Sequence, residues 1–174
     1  MQLYEKYVTE TVDEKTGRLT KIDFHIPDDF NFGFDVVDFW GKNTPDKTAL
    51  LWVGEHHEEK TFTFSDMMRL TNKTANYFRS LGIKKGDRVM LILRRHYQFW
   101  FSIVALHKIG AIVIPATDQL MKKDLVYRFN LAGVSAVVIS STGSIVDEAE
   151  KAFEQCDVKT KILVGASRDG WHDF

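Results

Sequence analysis

Between residues 88 and 164 the chain repeats one unit: a short apolar run, a polar break, then a longer stretch with helical spacing. The apolar runs "VMLIL", "AIVI" and "AVVI" show no polar residue at alternate positions. A strand with one wet face alternates, whereas a strand covered on both faces does not. The spacing predicts strands at 88–93, 111–115, 135–139 and 160–164, and helices at 97–108, 122–132 and 144–155. Strands that alternate with helices of this length join through right-handed crossovers into a parallel sheet. The expected fold class is therefore α/β, a mostly parallel sheet flanked by helices.

Upstream of this rhythm the pattern changes. "TALLWV" and "KTFTF" read as two strands paired in a hairpin around the polar turn "GEHHEE". Met67, Leu70, Thr74, Tyr77, Phe78 and Leu81 define the apolar face of a further helix, with Ser65 as its N-cap and Gly82 as its stop. Phe34, Val37 and Trp40 share one helical face, and Asn43-Thr44-Pro45 ends that segment. Residues 1–30 are polar, with a turn at 13–17 and a weakly alternating run at 19–26 that Pro27-Asp28-Asp29 punctuates. We read residues 1–27 as an extension with a small β-hairpin region, and 28–174 as an α/β subdomain.

The bulk numbers exclude several classes. A chain of 174 residues with 44% hydrophobic and 27% charged residues has the composition of a globular domain. Its net charge of −1 carries no footprint for nucleic acid or an anionic membrane. The most apolar segment, residues 97–106, is too short to span a bilayer and is bracketed by Arg95 and Lys108. It is apolar almost all round, so it is expected as a buried helix. The single cysteine, Cys156, and a charged N-terminus without an apolar core suggest a reducing compartment and a cytoplasmic location.

Open α/β sheets bind ligands at the carboxyl ends of their strands. Three loops fall there. Arg94-Arg95-His96 follows the first strand and reads either as an anion-binding loop or as arginines that are solvated or paired with acids. "SSTGS", 140–144, lacks the glycines and lysine of a phosphate loop, and Ser144 with Asp147 reads better as a helix cap. Thr117, Asp118 and Gln119 are polar side chains at a strand end and are the better binding candidates. His56-His57 lie adjacent in a turn and do not converge on a metal. Cys156 has no base or helix N-terminus to activate it. No catalytic constellation emerges, and no metal ligand set.

One longer pattern is informative. Leu81-Gly82-Ile83, Gly86-Asp87-Arg88-Val89, Gly110-Ala111 and Pro115, at this spacing, resemble the opening of the adenylate-forming enzymes: acyl-CoA synthetases, luciferases and peptide-synthetase adenylation domains. "FNFGFDVVDFW" (30–40), the "Q..KKDLVYR" frame (119–128), "KILV" (161–164) and "DGWHDF" (169–174) are most similar to the medium-chain acyl-CoA synthetases of the butyrate–CoA ligase type. The resemblance runs from about residue 28 onward and implies the first subdomain of that family's N-terminal domain.

It also implies an ATP-dependent carboxylic acid–CoA ligase, of the kind used in fatty acid metabolism, with ATP, CoA and Mg²⁺ as its cofactors. The acid is adenylated with release of pyrophosphate, and CoA thiol then displaces AMP. The family's Ser/Thr/Gly-rich phosphate loop, its ribose-binding Asp, its hinge and its catalytic lysine have no counterpart in these residues. The expectation is a chain with no catalytic residue of its own, inactive alone, whose exposed apolar surface promotes self-association. The resemblance carries over one ligand residue, Gln119, as a CoA contact. Arg94 departs from the family, which has proline there. Two alternatives stay open: an amino-acid-activating or luciferase-like enzyme, and a free-standing, non-catalytic flavodoxin-like binding domain.

Overall fold

A computed structural model describes residues 2–174. Five parallel strands form the main sheet: β5 (Arg88–Ile92), β6 (Ile112–Pro115), β7 (Ala136–Ser140), β8 (Thr160–Val164) and β9 (His172–Asp173). Their order is β6-β5-β7-β8-β9. α3 (Gln98–Ile109) carries the chain outward from β5 to β6, and α4 (Lys122–Ala132) brings it back past β5 to β7. The direction of winding reverses at β5. Pro115 sits at the end of the edge strand, where its missing N–H costs no ladder bond.

The unalternating strands are explained by two cores, one on each face. Val89 and Leu91 of β5 point to one side, with Ala75 and Phe78 of α2 (Phe64–Ser80) and Ala105 and Leu106 of α3. Met90 and Ile92 point to the other, with Leu125 and Phe129 of α4 and Ala149 and Ala152 of α5 (Ile145–Phe153). Period-2 geometry thus divides a continuous apolar run evenly between two layers. Trp171, just before β9, closes the second core and donates its indole N–H to Glu150. The two-residue strand β9 lies outside the sequence reading, because nothing so short carries a pattern.

Two antiparallel hairpins stand apart from this sheet: β1 (Val8–Val12) with β2 (Leu19–Phe24), and β3 (Thr48–Val53) with β4 (Glu59–Thr63). The second lies where the sequence places it; in the first, the turn and β2 match the reading, while β1 is an addition. The Asp13 carboxylate accepts the N–H groups of Lys15 and Thr16 and shapes the first turn. These bonds lower the Asp13 pKa.

Four local expectations need correction. The cap of α2 is Thr63, not Ser65: its hydroxyl accepts the Asp66 N–H at 3.1 Å, and the Asp66 carboxylate accepts the Thr63 N–H at 3.2 Å. This is a Thr-x-x-Asp capping box, and it starts the helix directly from β4. The box expected between Ser144 and Asp147 does not form, since Ser144 makes no side-chain cap and Asp147 pairs with Arg168. The segment around Phe34 is a wide π-helical turn, Phe32–Asp38, that runs on into α1 (Phe39–Asn43). Finally, α3 is not buried all round: Phe101, Val104, Ala105 and Leu106 are covered, but Trp100 is 47% exposed.

That π turn is held by Asn31, whose side chain accepts the Gly33 N–H and donates to the His107 carbonyl. Gly33 lies against Lys108, and a Cβ there would stand 2.4 Å from the Lys108 Cγ. The close approach places Asp38 at 2.6 Å from the Lys108 ammonium, which is only 1% exposed. Asn72 of α2 accepts a second Lys108 hydrogen bond at 2.7 Å. Three elements are joined through one buried lysine.

Candidate functional site at the carboxyl ends of the strands

The reversal of winding at β5 places the loops after β5, β6 and β7 side by side at one end of the sheet, the position where such sheets bind ligands. The loop after β6 is anchored at both ends. Ala116 donates to the Leu91 carbonyl, extending the β-ladder by one bond, and Leu120 is buried in the core. Between these anchors Thr117 and Gln119 are exposed. The Gln119 N–H is held by the Thr117 hydroxyl at 3.3 Å. Among the described residues its side-chain amide has no hydrogen-bond partner, so it retains both donor and acceptor capacity for a ligand.

Beyond the loop, Glu148 of α5 accepts the Lys122 N–H at 2.7 Å and the Lys151 ammonium at 2.6 Å. Those two bonds hold the Glu148 carboxyl below the ordinary range. They tie the first turn of α4, and with it the Gln119 loop, to the neighbouring helix. Glu148 escaped the sequence reading, which looked one residue earlier. The available signal was its place on the apolar face of α5, where a carboxylate needs a partner.

Arg94 is paired, as one of the two sequence readings allowed. Its guanidinium lies 3.2 Å from Glu55 in the β3–β4 turn and 3.7 Å from Asp118. Arg95 adopts a left-handed backbone at φ 47°, and its carbonyl accepts the Trp52 indole N–H. Tyr97 packs edge-on against Trp52, and Lys60 donates to its hydroxyl. The triplet thus fastens the detached hairpin to the sheet, with the Arg94 charge balanced by Glu55 and Asp118. Burial lowers the His96 pKa, against the opposing pull of Glu55.

In the "SSTGS" loop Ser140 is fully buried and bonds Thr142, while Ser141 N–H returns to Val164. His57 has φ 64° in an exposed turn, and no group of three metal-binding side chains gathers among the described residues. Cys156 lies against the Val126 carbonyl, and burial raises its thiol pKa, which suppresses the thiolate. No helix among the described residues is long and apolar enough to cross a membrane.

An open parallel sheet with a free amide on the loop beside its switch point defines an open α/β fold of the kind that binds ligands at its strand ends. Comparison with known proteins narrows it. The sequence pattern of the AMP-binding enzyme family matches residues 37–172, and the chain belongs to that family. Acyl-coenzyme A synthetase ACSM1, mitochondrial, of Mus musculus is 37% identical over 161 residues, which cover 87% of this chain and 28% of that protein. Its Homo sapiens counterpart is 35% identical, covering 87% and 27%. Acyl-coenzyme A synthetase ACSM5, mitochondrial, of Rattus norvegicus is 33% identical, covering 86% and 27%. The chain therefore spans a little over a quarter of the length of these relatives.

Acetoacetyl-CoA synthetase from Streptomyces lividans superposes with a TM-score of 0.76 at 19% identity, over 88% of this chain and 26% of that one. This likeness establishes the fold, and the expected α/β class holds. The likeness to the medium-chain acyl-CoA synthetases holds as well. The expected cytoplasmic location does not: the relatives are mitochondrial by name. A single cysteine is compatible with any reducing compartment and does not separate one from another.

Proposed function

We propose that this chain serves an AMP-forming carboxylic acid–CoA ligase and contributes part of the surface on which CoA is held. The observation that carries the reading is the 37% identity to an acyl-coenzyme A synthetase across nearly the whole chain, including the loop that presents Gln119. A carboxylate is a poor acyl donor until its oxygen becomes a leaving group. Adenylation by ATP does this, and Mg²⁺ offsets the charge on the phosphates. CoA thiol then takes the acyl group and AMP departs.

In this reading Gln119 contacts a pantetheine amide, donating through its NH₂ and accepting through its carbonyl. Residues 28–174 act as the first α/β subdomain, and residues 1–27 form an extension that docks through Tyr7 against Phe30. ATP, the carboxylic acid and CoA are the partners, and the location is mitochondrial, as for the named relatives. The 174 residues alone form no thioester, because no side chain here activates a phosphate or a carboxylate. Phe24, Leu131 and Tyr127 are 69%, 72% and 64% exposed, and such surface favours self-association.

The test is an assay of a gene product that carries this chain, with ATP, Mg²⁺, CoA and straight-chain acids. AMP release that requires both acid and CoA supports the reading, and ATP turnover indifferent to CoA overturns it. Gln119→Ala should raise KM for CoA about tenfold, the worth of one ligand hydrogen bond. Acid-dependent exchange of pyrophosphate into ATP should be unchanged. Equal losses in both half-reactions would count against a CoA contact.

A further inference from the structure

A second cavity lies at the opposite end of the sheet, beside the amino end of β5. It measures about 740 Å³, within the range of small-molecule sites. Its walls are the 82–85 loop, the last turns of α2 and α3, and the π turn. The side chains that give it chemical character are Arg79, Lys84, Lys85, Lys108, Asn76 and Phe34. Among the described residues no carboxylate lines it. In a chain of net charge −1, this is a strong local segregation of charge.

The cations there lack internal partners. Among the described residues, Arg79, Lys84 and Lys85 form no ion pair. Lys108 is balanced by Asp38. Among the described residues the Asp87 carboxylate accepts only the backbone N–H of Lys84. Two helix C-termini flank the cavity, and each carries roughly half a negative charge. Together they offset about one of the three unpaired cations, leaving a surplus near two. The floor is apolar, made by Ala75, Ile83 and Ile109, and the Phe34 ring stands half exposed at the rim.

We propose that this cavity is a site for a nucleoside phosphate, separate from the Gln119 loop and independent of its role. The phosphates meet Arg79, Lys84 and Lys85, and the base lies against Phe34 with the Asn76 amide within reach of its edge. Guanidinium and ammonium groups suit phosphate oxygens, and a flat apolar ring suits a base. A site at this end of the sheet reads nucleotide concentration without competing at the carboxyl-end loops.

The probes are ATP and inorganic pyrophosphate, titrated into the ¹⁵N-labelled 174-residue chain at low salt. ATP should shift the amides of residues 76–85 and 108–110. Lys84→Ala with Lys85→Ala should weaken ATP binding tenfold or more, about the loss of one to two charged hydrogen bonds. Both lysines are exposed, so folding is preserved. Phe34→Leu should weaken ATP but leave pyrophosphate unchanged, and raised salt should weaken both. The proposal is overturned by no shift at millimolar ATP, by shifts confined to 93–96 and 117–121, or by pyrophosphate binding as tightly as ATP.

Discussion

Asp38→Ala isolates the buried lysine on which three elements converge. The substitution removes the carboxylate 2.6 Å from Lys108 and leaves an ammonium group, 1% exposed, with Asn72 as its remaining acceptor. Orphaning one member of a buried pair costs about 3–5 kcal/mol. Asn72 stays in place and Lys108 borders the adjoining cavity, so the expected loss is ~3 kcal/mol, the low end of that range. Against a folded margin of roughly 5–15 kcal/mol this is a large fraction. It corresponds to a fall in Tm of about 6–12 °C for a chain of this size. Urea unfolding followed by tryptophan fluorescence measures it, with an unchanged m-value as the check that the same surface is exposed.

Two further arms separate the causes. Asp38→Leu with Lys108→Met removes both charges at similar volume and should recover most of the loss. Burial lowers the Lys108 pKa from its ordinary 10.5, partly opposed by Asp38. Removing Asp38 lowers it further. The unfolded chain then holds the proton more tightly than the folded one between that lowered value and 10.5, so folding gains as pH rises through this window. The deficit of Asp38→Ala should shrink with rising pH. A loss below about 1 kcal/mol, or a double variant as unstable as the single one, would refute the orphaned-charge argument.

Three other perturbations follow. The Glu148 carboxyl is held below its ordinary 4.5 by Lys151 and the Lys122 N–H, so its stabilisation is present above pH 4.5 and lost as pH falls through the lowered value. Glu148→Gln should therefore flatten the acid limb of the stability curve, read by urea unfolding at stepped pH. Gly41→Ala should cost about 1–3 kcal/mol through overpacking, because the new Cβ would lie 2.8 Å from Met68 Cβ and 3.0 Å from the Phe64 carbonyl; a thermal melt decides it. Phe78→Ala empties a site with no exposure between α2 and the sheet and should cost roughly 3–5 kcal/mol, with a matching drop in urea midpoint.

How legible the chain was depended on the range of the interaction. Residues 122–132 were predicted helical and form α4 to the residue, because apolar spacing and Gly133 at the C-terminus are local signals. The π turn was read only as helical, because its width is set by a glycine packed under a lysine 75 positions away. Trp100 looked buried because its neighbours are apolar, and hydropathy does not say which side of a helix has a partner. Gln119 is a candidate through its place after a strand, a local signal, whereas Glu55, Asp118 and Glu148 acquire their pairings by meeting distant groups.

By itself the sequence determined the α/β class, the parallel strands and their carboxyl-end loops, and the family likeness. All of these rest on periodicity and motif spacing along the chain. The tertiary structure alone decided that Arg94 is neutralised, that Lys108 is buried with Asp38, and that three unpaired cations share a cavity at the far end of the sheet. Charge balance and burial are sums over neighbours in space, and those neighbours come from segments that share no local pattern.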